Sequence, residues 1–142
     1  MTYNDTLTLV NRTEEVEKLP GFLDAICEAT GCNPAVSFNL NLALEEAVVN
    51  VISYAYPQDG REYTFTLNVQ AVKENGETIL TFKLCDQGMP FDPTQTEDVD
   101  TTLSAQEREI GGLGIFLVRQ LMDDVSYQYV NGSNVLTMTK RV

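Results

Sequence analysis

The stretch Asn41–Tyr56, NLALEEAVVNVISYAY, decides how the rest of this chain is interpreted. Apolar residues recur along it at spacings of three and four, which predicts a long helix with one buried face. These positions are Leu40, Leu44, Ala47, Val48, Val51 and Ala55. We expect the helix to end near Tyr56, because Pro57 cannot continue it.

Two polar residues of this helix require an explanation, since the segment otherwise carries little charge. Glu46 and Asn50 lie four positions apart and therefore project from one helix face. A structural interpretation makes Glu46 the solvated edge of a core helix and Asn50 a cap for a neighbouring backbone group. A functional interpretation makes the Asn50 amide oxygen a ligand for Mg²⁺ and Glu46 a proton acceptor one turn away.

The composition is that of one globular domain, residues 1–142, with 43% hydrophobic residues and enough length for a core. No run is expected to span a bilayer and no charged-then-apolar leader opens the chain, so we expect a cytoplasmic protein without a membrane partner. Acidic residues number 21 against 9 basic ones, and the net charge of −12 argues against direct nucleic-acid binding.

The cysteine and histidine counts exclude several classes of site. The three cysteines are an odd number without metal-ligand spacing, which argues against a zinc site and a disulfide framework. The chain contains no His, so it has neither a histidine-based triad nor a histidine that accepts a phosphoryl group.

The order of the elements predicts the fold class. Alternating apolar residues predict strands at 2–10, 61–72, 78–85, 125–130 and 135–139, with tight hairpin turns at Asn75-Gly76 and Asn131-Gly132. A helix is expected after a capping box at Asn11 and Glu14, with a C-terminal cap at Gly31, and the long helix is expected to begin at Asn33-Pro34. We therefore predict an α+β fold: a two-layer α/β sandwich in which a mixed, mostly antiparallel sheet carries the helices on one face.

Two further motifs lie at the ends of predicted elements. Asp86 and Gly88 follow a strand, where they form either an ordinary turn or a carboxylate that reads the exocyclic amine of adenine, with Gly88 allowing the base close to the backbone. The run Gly111–Gly114 begins a helix and is either a flexible hinge or a phosphate cradle. The polar segment between them, about 92–110, is expected to be a lid or a disordered segment.

In this order the motifs resemble the GHKL ATPase superfamily, which has the Bergerat or histidine-kinase-like ATPase fold, and within it the anti-sigma factor serine-protein kinases. The stretches that carry the resemblance are LEEAVVNVISYAY at 44–56, DQGMPF at 86–91 and GGLGIFLV at 111–118. The closing NVLTMTK at 134–140 resembles the last strand of the family.

The resemblance implies a role for each matching residue. Glu46 matches the general base and Asn50 the Mg²⁺ ligand. The nucleotide contacts implied are Asn50, Asp86, Gly88, Gly112, Leu113, Gly114 and Thr137, where Thr137 lies near the adenine. The implied cofactors are ATP and Mg²⁺. This sequence departs from the family at Tyr54, where His is frequent, and in a lid with one basic residue, Arg108.

The resemblance also implies function and partners. The chain is expected to regulate transcription by partner switching: it would bind a sigma factor and phosphorylate a serine of an anti-sigma-factor antagonist, as a homodimer. The alternative is a nucleotide-dependent protein-binding module without kinase activity. A histidine-kinase ATPase domain is disfavoured, because the chain holds no phosphoacceptor helix pair.

Overall fold

Five strands form a single sheet in the computed structural model, which describes residues 2–95 and 110–142. They are β1 (Thr2–Val10), β2 (Thr64–Glu74), β3 (Glu77–Asp86), β4 (Asp124–Val130) and β5 (Ser133–Arg141). The strands lie in the order β1-β2-β3-β5-β4, and all four pairings are antiparallel. The predicted α+β sandwich is confirmed, with a sheet that is antiparallel throughout these strands where a mixed one was expected.

Both predicted hairpin turns are present. Asn75 and Gly76 have φ of 53° and 82°, and Asn131 and Gly132 have φ of 53° and 80°. Two consecutive residues with positive φ are the signature of a type I′ turn, whose twist matches that of the flanking strands. The two turns join β2 to β3 and β4 to β5.

In the part of the chain that the structure describes, three α-helices accompany the sheet: α1 (Leu19–Thr30), α2 (Pro34–Asn50) and α3 (Ile110–Leu121). The predicted caps of α1 and α2 are confirmed. Gly31 ends α1 with φ of 81°, and the Asn33 side chain accepts a hydrogen bond from the Val36 amide at 2.9 Å. A 3₁₀-helix at Thr13–Lys18 precedes α1.

The capping box predicted at Asn11 and Glu14 is wrong. The Asn11 Oδ1 atom accepts a hydrogen bond from the Tyr63 amide at 2.8 Å, and the Asn11 amide donates to the Tyr63 carbonyl at 3.1 Å. Glu15, rather than Glu14, accepts from the backbone, at the amide of Val10. The backbone of Tyr63, which directly precedes β2, therefore takes the hydrogen bonds of Asn11 in place of a local helix cap.

The long helix changes its hydrogen bonding near its end. Residues Val51–Ala55 continue α2 as a short π-helix, which brings the chain to Tyr56 as predicted. By length and mean hydropathy of 1.3, the combined segment Pro34–Ala55 could cross a membrane, which corrects the expectation that no run is long enough. In this structure it is the core helix: its buried apolar residues belong to the same hydrophobic cluster as Leu67, Phe82 and Met138 of the sheet.

Candidate functional site

A pocket opens between the C-terminal half of the long helix and the ends of β3 and β5. Its empty space is about 410 Å³, part of it open to solvent. The lining residues that matter for its chemistry are Asn50, Asp86, Phe91, Tyr127 and Asn134. Apolar side chains, among them Val51, Leu84 and Leu136, line most of the remainder. Such a lining, with few polar groups, is typical of a small-molecule site.

Asp86 is the last residue of β3, the central strand, and only 6% of it is exposed. Its Oδ1 atom accepts two hydrogen bonds, from the Gly88 amide at 2.9 Å and from Asn134 Nδ2 at 2.8 Å. Burial raises the pKa of the Asp86 carboxyl, and these two hydrogen bonds oppose that rise. Oδ2 accepts no hydrogen bond from the described residues and remains as the acceptor that a ligand can use.

Asn134 was missed by the sequence analysis, and the sheet register shows why it belongs here. It pairs directly with Asp86 across β3 and β5, and only 5% of it is exposed. It is the first of the alternate residues Asn134, Leu136 and Met138, which are all buried. Counting alternate positions back from the apolar residues of β5 would have identified it.

The same alternation places Thr137 outside the pocket lining. Thr137 lies between buried Leu136 and Met138 on the strand, so its side chain points to the other face of the sheet. It pairs with Lys83 and Ser126, and it does not line the pocket. Its predicted contact with adenine stays a prediction that the strand alternation does not favour, and Asn134 occupies the pocket-facing position of β5.

Asn50 is the last residue of α2, and 7% of it is exposed. Neither Oδ1 nor Nδ2 of its side chain has a hydrogen-bond partner in the part of the chain that the structure describes. An unpaired buried amide is unfavourable by about 1–3 kcal/mol. The side chain lines the pocket, so a ligand there would satisfy it, and its amide oxygen fits the hard-oxygen preference of Mg²⁺.

A protein-only metal site is not formed by the described residues, which contain no group of three or more Cys, Asp or Glu side chains placed to hold an ion. Beside nucleotides Mg²⁺ is commonly bound through one or two protein oxygens together with phosphate oxygens.

Glu46 lies one turn before Asn50 on α2 and is partly buried. Burial raises the pKa of its carboxyl, and the neighbouring charge of Glu45 raises it further. Glu46 does not itself line the pocket. Its predicted role as a base remains a prediction.

Gly88 is tightly packed against the end of the long helix. A Cβ atom at Gly88 would lie 2.6 Å from the carbonyl carbon of Ala55 and 2.8 Å from its Cβ. The next residue, Met89, donates its amide to the Ala55 carbonyl at 3.0 Å. Close backbone packing thus gives a reason for glycine here that differs from the predicted approach of a base.

The glycine run lies within α3, which begins at Ile110. Gly112 and Leu113 are therefore in its first four residues, where backbone amides have no partner within the helix, and Gly114 is the fifth residue. Of the predicted lid at about 92–110, Pro93–Gln95 forms a 3₁₀-helix, and the carbonyl of Thr94 accepts a hydrogen bond from Arg119. Residues 96–109, with Arg108, lie outside the described residues.

Comparison with known proteins identifies relatives along nearly the whole chain. The profile of the histidine kinase-like ATPase domain matches residues 9–140. The serine-protein kinase RsbW of Listeria monocytogenes serovar 1/2a is 32% identical over 143 residues, covering 96% of this chain and 86% of that protein. The serine/threonine-protein kinase BtrW of Bordetella bronchiseptica is 29% identical over 136 residues, covering 95% and 92%.

A solved structure shares the fold. The crystal structure of the RsbU and RsbW domains of a Mycobacterium tuberculosis protein superposes with a TM-score of 0.60 at 14% identity. The match covers 97% of this chain and 32% of that longer one. Taken with the profile match, these similarities establish that the chain belongs to the histidine kinase-like ATPase domain family, among the relatives of the serine-protein kinase RsbW.

Proposed function

We propose that this chain is an ATP-binding anti-sigma factor that acts as a serine-protein kinase, phosphorylating a serine of an antagonist protein and so regulating a sigma factor by partner switching. The relatives named RsbW and BtrW are serine or serine/threonine kinases. The observation that carries the proposal is the placement of Asn50, with its unpartnered buried amide, in the same pocket as Asp86.

The two ends of the pocket would hold different parts of the nucleotide. Asp86 Oδ2 would accept a hydrogen bond from the exocyclic amine of adenine. Asn50 would bind Mg²⁺, which neutralises phosphate charge when present. The backbone amide of Gly112, in the first turn of α3, would donate to the phosphates, and Gly114 would allow their close approach.

Glu46 would act on the incoming serine. Its raised pKa makes it a better proton acceptor than an ordinary carboxylate, provided that it is still ionised at the working pH. As the serine oxygen bonds to the γ-phosphorus and the bond to the β–γ bridging oxygen breaks, Glu46 would take the serine proton. ADP leaves with that bridging oxygen.

The partners follow from the relatives and from charge. We propose a cytoplasmic protein that binds a sigma factor and an antagonist protein, and that forms a homodimer. The net charge of −12 suits basic protein surfaces and is unfavourable for phosphate backbones.

A nucleotide-dependent binding module without kinase activity is the second candidate. The observation in its favour is that Glu46 does not line the pocket that Asn50 and Asp86 share. In that case ATP would change only the affinity for a protein partner.

The experiment compares Glu46→Gln with Glu45→Gln. Both substitutions remove one carboxylate from adjacent residues, which point about 100° apart around the helix. We expect Glu46→Gln to reduce phosphoserine formation on the purified antagonist by roughly 10²–10⁴-fold with ATP affinity unchanged, and Glu45→Gln to stay active. Wild-type turnover by Glu46→Gln would refute the base assignment. A wild type that binds ATP but phosphorylates no antagonist would favour the binding module.

A further inference from the structure

Asn134 uses all of its side-chain hydrogen-bonding groups on the protein. Its Nδ2 atom donates to Asp86 Oδ1 at 2.8 Å and to the Met89 carbonyl at 2.9 Å. Its Oδ1 atom accepts from the Phe91 amide at 3.2 Å and from the Tyr127 hydroxyl. An amide with two donors and one acceptor oxygen thus has no donor left for a ligand, so Asn134 is not itself a reader of the base.

These partners fix the direction of the amide. A flipped Asn134 would turn its NH₂ group toward the Phe91 amide, which is also a donor, and its oxygen toward the Met89 carbonyl, which is also an acceptor. Two fixed backbone groups therefore hold the NH₂ end of Asn134 against Asp86.

The consequence falls on one oxygen of Asp86. Its Oδ1 atom already accepts from Asn134 and from the Gly88 amide, and so has no room for a proton. A proton on Asp86 must therefore sit on Oδ2, the atom left for a ligand. An ionised Oδ2 accepts a hydrogen bond from an exocyclic amine, whereas a protonated one offers a donor to it.

We propose that Asn134 is a positioning residue for nucleotide recognition: it holds Asp86 in the state and orientation in which Oδ2 accepts a hydrogen bond from adenine. The proposal rests on the proposed ATP binding for its functional part. The sequence analysis assigned no role to Asn134.

The other titratable groups around Asp86 leave this role to Asn134. Tyr56 approaches from the end of the long helix, Tyr127 from β4, and Cys85 precedes Asp86 on β3. Burial raises the pKa of all three, so they are neutral near pH 7. Among the described residues, the groups that favour the ionised Asp86 are therefore the hydrogen bonds from Asn134 and Gly88.

The test follows Asp86 directly, by its carboxyl ¹³C signal during a pH titration of the nucleotide-free protein. Asn134→Ala removes the donor to Asp86, and we expect the Asp86 midpoint to move to higher pH. Tyr127→Phe is the matched control, because it removes a bond to Asn134 but leaves the bond from Asn134 to Asp86. We expect its midpoint to stay at the wild-type value.

The second readout is ATP affinity across the same pH range. In Asn134→Ala, binding should weaken by about tenfold or more and its acidic limit should move to higher pH together with the Asp86 midpoint. The proposal would be overturned if the Asp86 midpoint of Asn134→Ala equalled that of the wild type, or if the variant lost ATP affinity equally at every pH. Either result would mean that Asn134 only anchors the 89–91 loop.

Two safeguards keep the test decisive. If Asn134→Ala does not fold, the side-chain NH₂ signals of Asn134 in the wild type replace it as the readout. We expect these signals to shift with pH at the same midpoint as the Asp86 carboxyl. NH₂ signals that do not change at that midpoint would refute the contact. If the wild type binds no ATP, the proposed function fails, while the titration of the empty protein still decides whether Asn134 sets the state of Asp86.

Discussion

The Cα atom of Gly88 lies against the carbonyl group of Ala55, so close that a side chain at position 88 would collide with the backbone of the long helix. A Cβ there would lie 2.6 Å from the Ala55 carbonyl carbon. This contact joins the loop after Asp86 to the π-helical end of the segment that carries Asn50. It therefore sets the spacing between the two sides of the pocket.

We expect Gly88→Ala to destabilise the protein by about 1–3 kcal/mol, because overpacking against backbone cannot be relieved by moving a flexible side chain. Urea unfolding measures the loss. Gly21→Ala is the control: Gly21 is exposed, lies in α1 and has open space around it, so alanine there should be neutral or slightly stabilising. Equal stability of the Gly88 variant and the wild type would contradict the packing argument.

Asn50→Leu should stabilise the empty protein by about 1 kcal/mol, because it replaces two unpaired buried polar atoms with apolar ones. The same change should weaken Mg²⁺-ATP far more than metal-free ATP, since it removes an oxygen ligand. Thermal unfolding and calorimetry with and without Mg²⁺ measure the two effects.

Asn41→Leu provides the control for Asn50. Asn41 Oδ1 is also buried without a partner among the described residues, but nine positions along the helix place it on the opposite side from Asn50. The Asn41→Leu variant should be stabilised in a similar way and should bind Mg²⁺-ATP with wild-type affinity. Equal weakening of ATP binding with and without Mg²⁺ in Asn50→Leu would show that Asn50 is not a metal ligand.

Asp86→Asn should weaken ATP binding by about tenfold or more, yet stabilise the empty protein at neutral pH. Burial raises the folded pKa of Asp86, so between the unfolded and the folded pKa the folded protein holds a proton that the unfolded chain has already lost. Stability contributed by this group falls as the pH rises from the ordinary Asp pKa, about 4, through the folded pKa. The stabilising effect of Asp86→Asn should therefore vanish in acid. Denaturant titrations of the variant and the wild type at several pH values measure this effect. A stability difference that is the same at every pH would contradict the prediction.

Cys27 should react slowly with iodoacetamide in the folded protein. Burial and a hydrogen bond with Cys32 raise the pKa of the Cys27 thiol to about 12, and the thiolate is the reactive form. Peptide mass spectrometry after timed labelling measures the rate, with the guanidinium-unfolded chain as reference. Labelling as fast as in the unfolded chain would contradict this environment.

Local patterns in the sequence were sufficient for the elements that depend on nearby residues. The helix through 41–56, the two Asn-Gly turns and the Gly31 cap are set by spacing and by positive φ. Asp86 was found because it ends an alternating strand and precedes a glycine. These signals need no knowledge of distant partners.

Local patterns were insufficient where distant partners compete with local ones. Asn11 has the spacing of a capping residue, but the backbone of Tyr63 takes its side chain. Thr137 was assigned by resemblance, whereas the pairing of Asn134 with Asp86 is a property of the sheet register. The change to a π-helix at Val51–Ala55 likewise leaves the apolar spacing of the sequence nearly intact.

The bond from the Met89 amide to the Ala55 carbonyl consists of main-chain atoms alone. Side chains at position 89 can therefore vary without breaking it, apart from proline, which has no amide hydrogen. The Met89 side chain is 61% exposed, so we expect substitutions at this position to be tolerated. Insertion or deletion of one residue between 86 and 89 would instead shift the amide away from Ala55. At position 89 evolution can therefore alter the residue, whereas the length of the loop is strictly limited.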